Sequence, residues 1–252
     1  MLRQPTVGNG MGIAMKTNLL LLAILYLLGS CSFAVANPFD DASAAYERGD
    51  YVQAMKLFRQ LAAQGHQWAQ RRLGLIYAEG KGAPQDYQEA VKWFRLAAAQ
   101  GNVPAQYSLG LAYEKGQGVP QDFQEAVKWY RIAAGREDEW AQTRLGSIYA
   151  EGKGVPQDDQ EAVKWYRLAA AQGYAPAQAS LGLAHEKGQG VPQDFVRAHM
   201  WFTLAAAALS SDSRDTATKN RDRIASKMTA EQIATAQEMA RRCQESKLKN
   251  CD

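Results

Sequence analysis

Residues 66 to 101 read HQWAQRRLGLIYAEGKGAPQDYQEAVKWFRLAAAQG, and the pattern restarts without a gap at 102, 138 and 174, so four 36-residue units fill 66 to 209. The pair Leu-Gly returns at Leu73-Gly74, Leu109-Gly110, Leu145-Gly146 and Leu181-Gly182. A fixed period of this length marks a solenoid: one unit cannot bury its own apolar face, so neighbours must stack into a continuous core. Units one and three agree at 29 of 36 positions and units one and two at 20, so the last duplication copied a pair. Any surface built from these positions therefore alternates along the array.

Unit 102 to 137 shows how each unit is made. A first helix is expected from about Pro104 to Lys115, because proline suits the first turn and Ala105, Leu109, Ala112 and Tyr113 share one helical face. Gly110 in mid-helix costs about 1 kcal/mol relative to alanine. Its return in every unit implies that a neighbouring helix needs the space. Gly116 ends the helix, and Asp122 with Glu125 reads as a capping box opening a second helix. The same D-x-x-E stands at Asp86/Glu89 and Asp158/Glu161, whereas Asp194 is followed by Arg197, which would break the box in unit four. Ala126, Trp129, Tyr130, Ala133 and Ala134 form the inward face of the second helix, and Trp93, Trp129, Trp165 and Trp201 read as a ladder of core wedges.

LG-x-x-Y/H, G-x-G-V/A-P-Q-D, A-x-x-W-F/Y and AA at this spacing resemble the Sel-one-like repeat, a longer-looped relative of the tetratricopeptide repeat. The resemblance covers 66 to 209 and implies an all-α, right-handed α/α solenoid of about a dozen helices. Residues 37 to 65 resemble a short-looped tetratricopeptide-like unit that would cap one end, through Tyr46, Gly49, Asp50, Ala54, Phe58 and Ala62. Residues 210 to 252 read as a C-terminal helical cap, with Thr229 and Gln232 as a capping box and Ile233, Ala236, Gln237 and Ala240 along one face. The resemblance also implies an adaptor that holds another protein, of a kind often found in bacterial envelope processes. Some cysteine-rich relatives are associated with penicillin binding or weak β-lactam hydrolysis. They carry a cysteine pair in each unit, and this chain has no cysteine between 37 and 242.

The front of the chain reads as an address and lies outside the expected fold. Lys16, the apolar run Leu19 to Leu28 and Ala34-Val35-Ala36 before Asn37 have the order of a secretory signal, with residues 1 to 36 removed and the start of translation at Met1 or Met15. Leu28-Gly29-Ser30-Cys31 also resembles a lipobox, which would leave a lipid anchor on Cys31. Ten apolar residues are too few to span a bilayer, which takes about 20. Either reading exports the solenoid to the periplasm or beyond. Without residues 1 to 36 the chain has 27 basic and 26 acidic residues, no basic face stands out in the repeats, and nucleic acid is not an expected partner. Cys243 and Cys251 then form an even pair, read as a disulfide in an oxidising compartment.

No catalytic, metal or cofactor constellation emerges. His66, His185 and His199 are the only histidines, and the last two sit where other units carry tyrosine and valine. The recurring carboxylates are assigned to helix caps. The face of each first helix opposite its core is more informative: Trp68, Arg71, Leu75 and Ala78; Pro104, Tyr107, Leu111 and Glu114; Trp140, Thr143, Ser147 and Ala150; Pro176, Ala179, Leu183 and Glu186. These positions match the helix face that lines the concave groove in tetratricopeptide relatives. Trp68, Arg71, Tyr107, Glu114, Trp140 and Thr143 are the candidate contacts for a protein or peptide, since Trp, Arg and Tyr favour binding hot spots. The rival reading of Trp68 and Trp140 is packing against the preceding unit.

Overall fold

A computed structural model describes residues 37–208, 211–248 and 251. Twelve α-helices and no strands occur among the described residues: α1 Pro38–Glu47, α2 Tyr51–Ala63, α3 Gln67–Glu79, α4 Tyr87–Ala99, α5 Val103–Lys115, α6 Phe123–Ala134, α7 Glu139–Glu151, α8 Asp159–Ala171, α9 Ala175–Lys187, α10 Phe195–Ala208, α11 Ser211–Ala225 and α12 Ala230–Glu245. Each helix packs on its sequence neighbours from α1 to α11, and α10 also carries α12. The fold is thus an all-α solenoid, in which α3/α4, α5/α6, α7/α8 and α9/α10 are the helix pairs of the four units. Residues 1 to 36, with Cys31 and the expected cleavage site, lie outside the described residues.

The mid-helix glycines make the joint inside each unit. A Cβ on Gly110 would stand 2.7 Å from the Tyr130 ring, and Gly74, Gly146 and Gly182 face Phe94, Tyr166 and Phe202 in the same way. The neighbour that needs the space is the aromatic residue one place after each ladder tryptophan. That aromatic is buried in all four units, as are Leu73, Leu109, Leu145 and Leu181. Trp93, Trp129 and Trp165 are only partly buried, each wedged against the core of the preceding joint, and Trp201 is fully buried.

Between units the connection is polar, and it was not foreseen from the sequence. Gln70, Gln106, Gln142 and Gln178 are buried, and each donates its Nε2 to a carbonyl at the end of the preceding helix: Ala62, Ala98, Ala134 and Ala170. The Gln70 and Gln142 amide oxygens also accept, from Gln100 and Gln172, whereas those of Gln106 and Gln178 are buried without a partner; the Nε2 bond common to all four fixes register between units as well as distance. The loop glycine has a separate reason. Gly118 has φ +75°, and a Cβ there would lie 2.1 Å from the Tyr87 carbonyl oxygen, because the loop of one unit rests on the helix start of the one before.

Two expectations are corrected. Asp86, Asp122 and Asp158 do cap their helices, accepting from Glu89, Glu125 and Glu161 backbone N–H groups at 2.9–3.0 Å. The glutamates do not reach back to complete a box. The N–H groups a box would need, on Asp86, Asp122 and Asp158, already donate to the Tyr77, Tyr113 and Tyr149 carbonyls at 2.9–3.0 Å, and the glutamate carboxylates turn forward to Lys92, Lys128 and Lys164. In unit four there is no box, as Arg197 implied, and Asp194 still caps its helix by accepting from the Arg197 N–H at 3.0 Å. In α12, Ala236, Ala240 and Cys243 are buried while Gln237 is exposed. Its capping box at Thr229 and Gln232 is complete, and Cys243 and Cys251 are joined by a disulfide with Cα atoms 4.8 Å apart.

Candidate functional site

The N-terminal ends of α3, α5 and α7 enclose a groove of about 400 Å³ lined by Arg71, Pro104, Tyr107, Asp138, Glu139 and Trp140. Arg71, Tyr107 and Trp140, singled out from separate units, are thus brought together at one place. Their meeting follows from the repeat: Arg71 and Tyr107, 36 apart, occupy the same turn of neighbouring first helices, and Trp140 stands one turn earlier on the next. Trp140 is 51% exposed and Trp68 46%, so neither is committed to the core, and Trp68 is not among the residues lining the groove. Thr143 lies one turn further along α7, its hydroxyl donating to the Glu139 carbonyl at 2.8 Å. Glu114 lies towards the other end of α5, accepting from the Tyr130 hydroxyl at 2.5 Å, with Arg144 at 3.6 Å.

Aromatic rings run across the units here. Tyr107 and Trp140 have centroids 6.2 Å apart, and Trp140 and Tyr174 5.1 Å, both tilted. Such pairs hold each other in place, and Tyr107 and Tyr174 also pack against the buried cores beside them. Tyr174 is the residue that sequence reading missed. In the other three units this position caps the first helix, through His66 Nδ1, Asn102 Oδ1 and Asp138 Oδ1. Tyr174 makes no side-chain cap bond to α9. An aromatic residue at a capping position is the signal that could have found it, since the helix gives up a cap worth about 1 kcal/mol.

Charge in the groove is unevenly satisfied. The Arg71 guanidinium is pushed down from its ordinary pKa, chiefly by burial, and its Nε is buried with no hydrogen-bond partner. Burial likewise raises the Asp138 carboxyl, against the bond it accepts from the Ala141 N–H. Burial raises the Tyr174 phenol to about 12. A ligand entering here would meet ring faces, one under-bonded guanidinium and the Asp138 and Glu139 carboxylates.

Elsewhere the titratable groups serve the fold. His185 and His199 are buried, and burial lowers the His199 pKa. His66 caps α3 and stacks on Phe39, with centroids 5.0 Å apart. Among the described residues no group of three His, Cys, Asp or Glu side chains is placed to hold a metal ion. No described helix is long and apolar enough to cross a membrane.

Comparison with known proteins agrees with this architecture. The Sel1 repeat family model matches residues 43–66, 69–102, 103–138, 141–174 and 175–208, so it includes the short first unit. The crystal structure of a Sel1 repeat protein from Oxalobacter formigenes is 32% identical, with a TM-score of 0.62 over 75% of this chain and 85% of that one. A protective antigen of uropathogenic Escherichia coli with an SLR fold is also 32% identical, with a TM-score of 0.51 over 80% of this chain. This chain spans 50% of that antigen's length. No curated protein matches. With five matched units covering most of the sequence, the chain belongs to the Sel1 repeat family.

Proposed function

We propose that this protein is a non-enzymatic scaffold of the bacterial cell envelope that holds a protein or peptide along the concave face of its solenoid, at the groove between α3, α5 and α7. Sel1 repeats form interaction surfaces, and the coarse assignment to protein binding rests on that membership. The observation that carries the finer reading is the half-exposed Trp140, held between the partly buried Tyr107 and Tyr174 beside the under-bonded Arg71. Packing alone does not require a tryptophan to stand half out of the surface with its neighbour's helix cap sacrificed to reach it.

Export belongs to the same proposal. The signal-like residues 1 to 36 and the paired Cys243 and Cys251 support it. Mass spectrometry of the mature N-terminus decides between Asn37 and an acylated Cys31, and an unprocessed Met1 or Met15 would refute export. For binding, crosslinking in the native envelope identifies the partner. Trp68→Ala with Trp140→Ala is then expected to weaken its capture by about 2 kcal/mol per true hot spot. The helical signal and melting point should stay nearly unchanged. A melting point that falls in step with lost capture would assign the tryptophans to packing. Reproducible turnover of a β-lactam or peptidoglycan fragment by the purified protein, lost on one substitution, would replace the scaffold reading with a hydrolytic one.

A further inference from the structure

The second helices carry a feature on their outer side that the groove does not use. Leu96, Ile132 and Leu168 hold the same position in units one to three and are 50%, 46% and 51% exposed. Their counterpart in unit four, Leu204, is 2% exposed, because α12 lies against α10 and its Ala240 and Cys243 join the same core cluster as Leu204. The molecule thus contains three open copies of a seat and one occupied copy, and the occupant is an amphipathic helix.

The surroundings of the open and closed seats differ in charge. Beside Leu96 and Ile132 stand the exposed Arg95 and Arg131, whose guanidinium groups donate to the phenol oxygens of Tyr113 and Tyr149. A phenol orients an arginine without neutralising it, so the positive charge is held in place and left uncompensated. The acids of these helices lie in the first turn, at Glu89 and Glu125, where they are tied to Lys92 and Lys128. At the closed seat the equivalent of Arg95 is Thr203, and α12 brings no ion pair to it among the bonds described.

We propose that the row Leu96, Ile132 and Leu168 is a second docking surface, which takes an amphipathic helix of a partner protein with a small-residue apolar stripe and carboxylates along its flank. The helical form follows from α12 on Leu204, with which the row is continuous. The acidic flank follows from Arg95 and Arg131. The same charges set two rows against each other, so a second copy of this chain is disfavoured as the occupant.

The test uses two labelled 18-residue helical peptides with one alanine–leucine stripe, one flanked by glutamates and the other by lysines. Fluorescence anisotropy with the purified protein is expected to show saturable binding of the acidic peptide, at least tenfold tighter than the basic one. Leu96→Ser with Ile132→Ser and Leu168→Ser, all at exposed positions, should weaken it at least tenfold with the circular dichroism spectrum unchanged. Arg95→Gln with Arg131→Gln should weaken it several-fold, and Trp68→Ala with Trp140→Ala should leave it unaltered. No saturable binding, equal affinity for the two peptides, or full affinity in the triple serine variant would overturn the proposal. So would a wild-type dimer in sedimentation that the serine variant loses, since the occupant would then be a second copy.

Discussion

Units two and four are built on one pattern, yet they differ in what lies beyond them. In unit two, Glu114 accepts from the Tyr130 hydroxyl and has Arg144 of the next unit 3.6 Å away. In unit four the matching Glu186 is bonded by Arg223 from α11, one contact at 2.8 Å, and the matching aromatic is Phe202, with no hydroxyl to offer. On the outer side Ile132 stands half exposed while Leu204 is covered. The joint within a unit is therefore a property of the unit. What covers its flanks depends on the chain that follows, and α11 and α12 finish both sides of unit four at once.

The largest expected effect tests the joint. Tyr130→Ala should cost about 3–5 kcal/mol in urea unfolding, as for other large buried aromatics. Tyr130→Phe, which copies unit four, should cost only about 1 kcal/mol for the lost bond to Glu114. Equal losses would mean that the hydroxyl, not the ring, secures unit two. Next comes the C-terminal cover: Cys243→Ser should lower stability by about 2.5 kcal/mol on the chain-entropy account of so short a loop. Loss of α12 from unit four would be read as new hydrogen exchange around Trp201 and Leu204, with exchange in unit two unchanged.

Gly110→Ala sets two effects against each other. Helix propensity favours alanine by about 1 kcal/mol, but the new methyl would meet the Tyr130 ring at 2.7 Å, and overpacking costs about 1–3 kcal/mol. The variant should be destabilised, and combining it with Tyr130→Leu should recover part of the loss. A stabilised single variant would show that the ring can move aside.

Arg223→Gln probes the other end, where the exposed half of the pair limits the cost to about 1 kcal/mol. Arg223 holds the Glu186 carboxyl below its usual range, chiefly by hydrogen bonding. A carboxylate depressed in the folded state contributes stability above its unfolded pKa and loses it as pH falls through the folded value. Melting points of wild type and variant should thus differ at neutral pH and converge in acid; a gap that persists at low pH would assign the effect to packing. The smallest expected difference concerns the caps. Asp122→Ala should cost about 1 kcal/mol, whereas Glu125→Gln should change stability by less than about 0.5 kcal/mol, since its only bond described is to the exposed Lys128.

Much of this was legible because each unit repeats its own evidence. A glycine in mid-helix is ambiguous once, but four times beside a leucine it announces a close approach. The candidate groove was legible in part. Arg71 and Tyr107 could be chosen because a 36-residue shift carries one onto the place of the other, and Trp140 because helical periodicity puts it on the same face one turn earlier in the next unit. Tyr174 was hidden because it stands at a capping position, where a side chain is judged by its oxygen and not by its ring. The capping boxes were over-read because D-x-x-E satisfies the local pattern, while the aspartate N–H the glutamate would accept from is already bonded to a carbonyl of the first helix.

The sequence by itself determined the period, the two helices of each unit, their caps and the inward faces, all of which depend on residues a few positions apart. Only the tertiary structure decided which aromatic fills the space above each glycine, that a buried glutamine ties each unit to the one before, and that Leu204 is covered where Leu96, Ile132 and Leu168 are not. The physical reason is range. Local pattern fixes what a helix is, whereas a side chain's burial is set by whichever segment packs against it, and for Leu204 that segment begins some 26 positions away at Ala230.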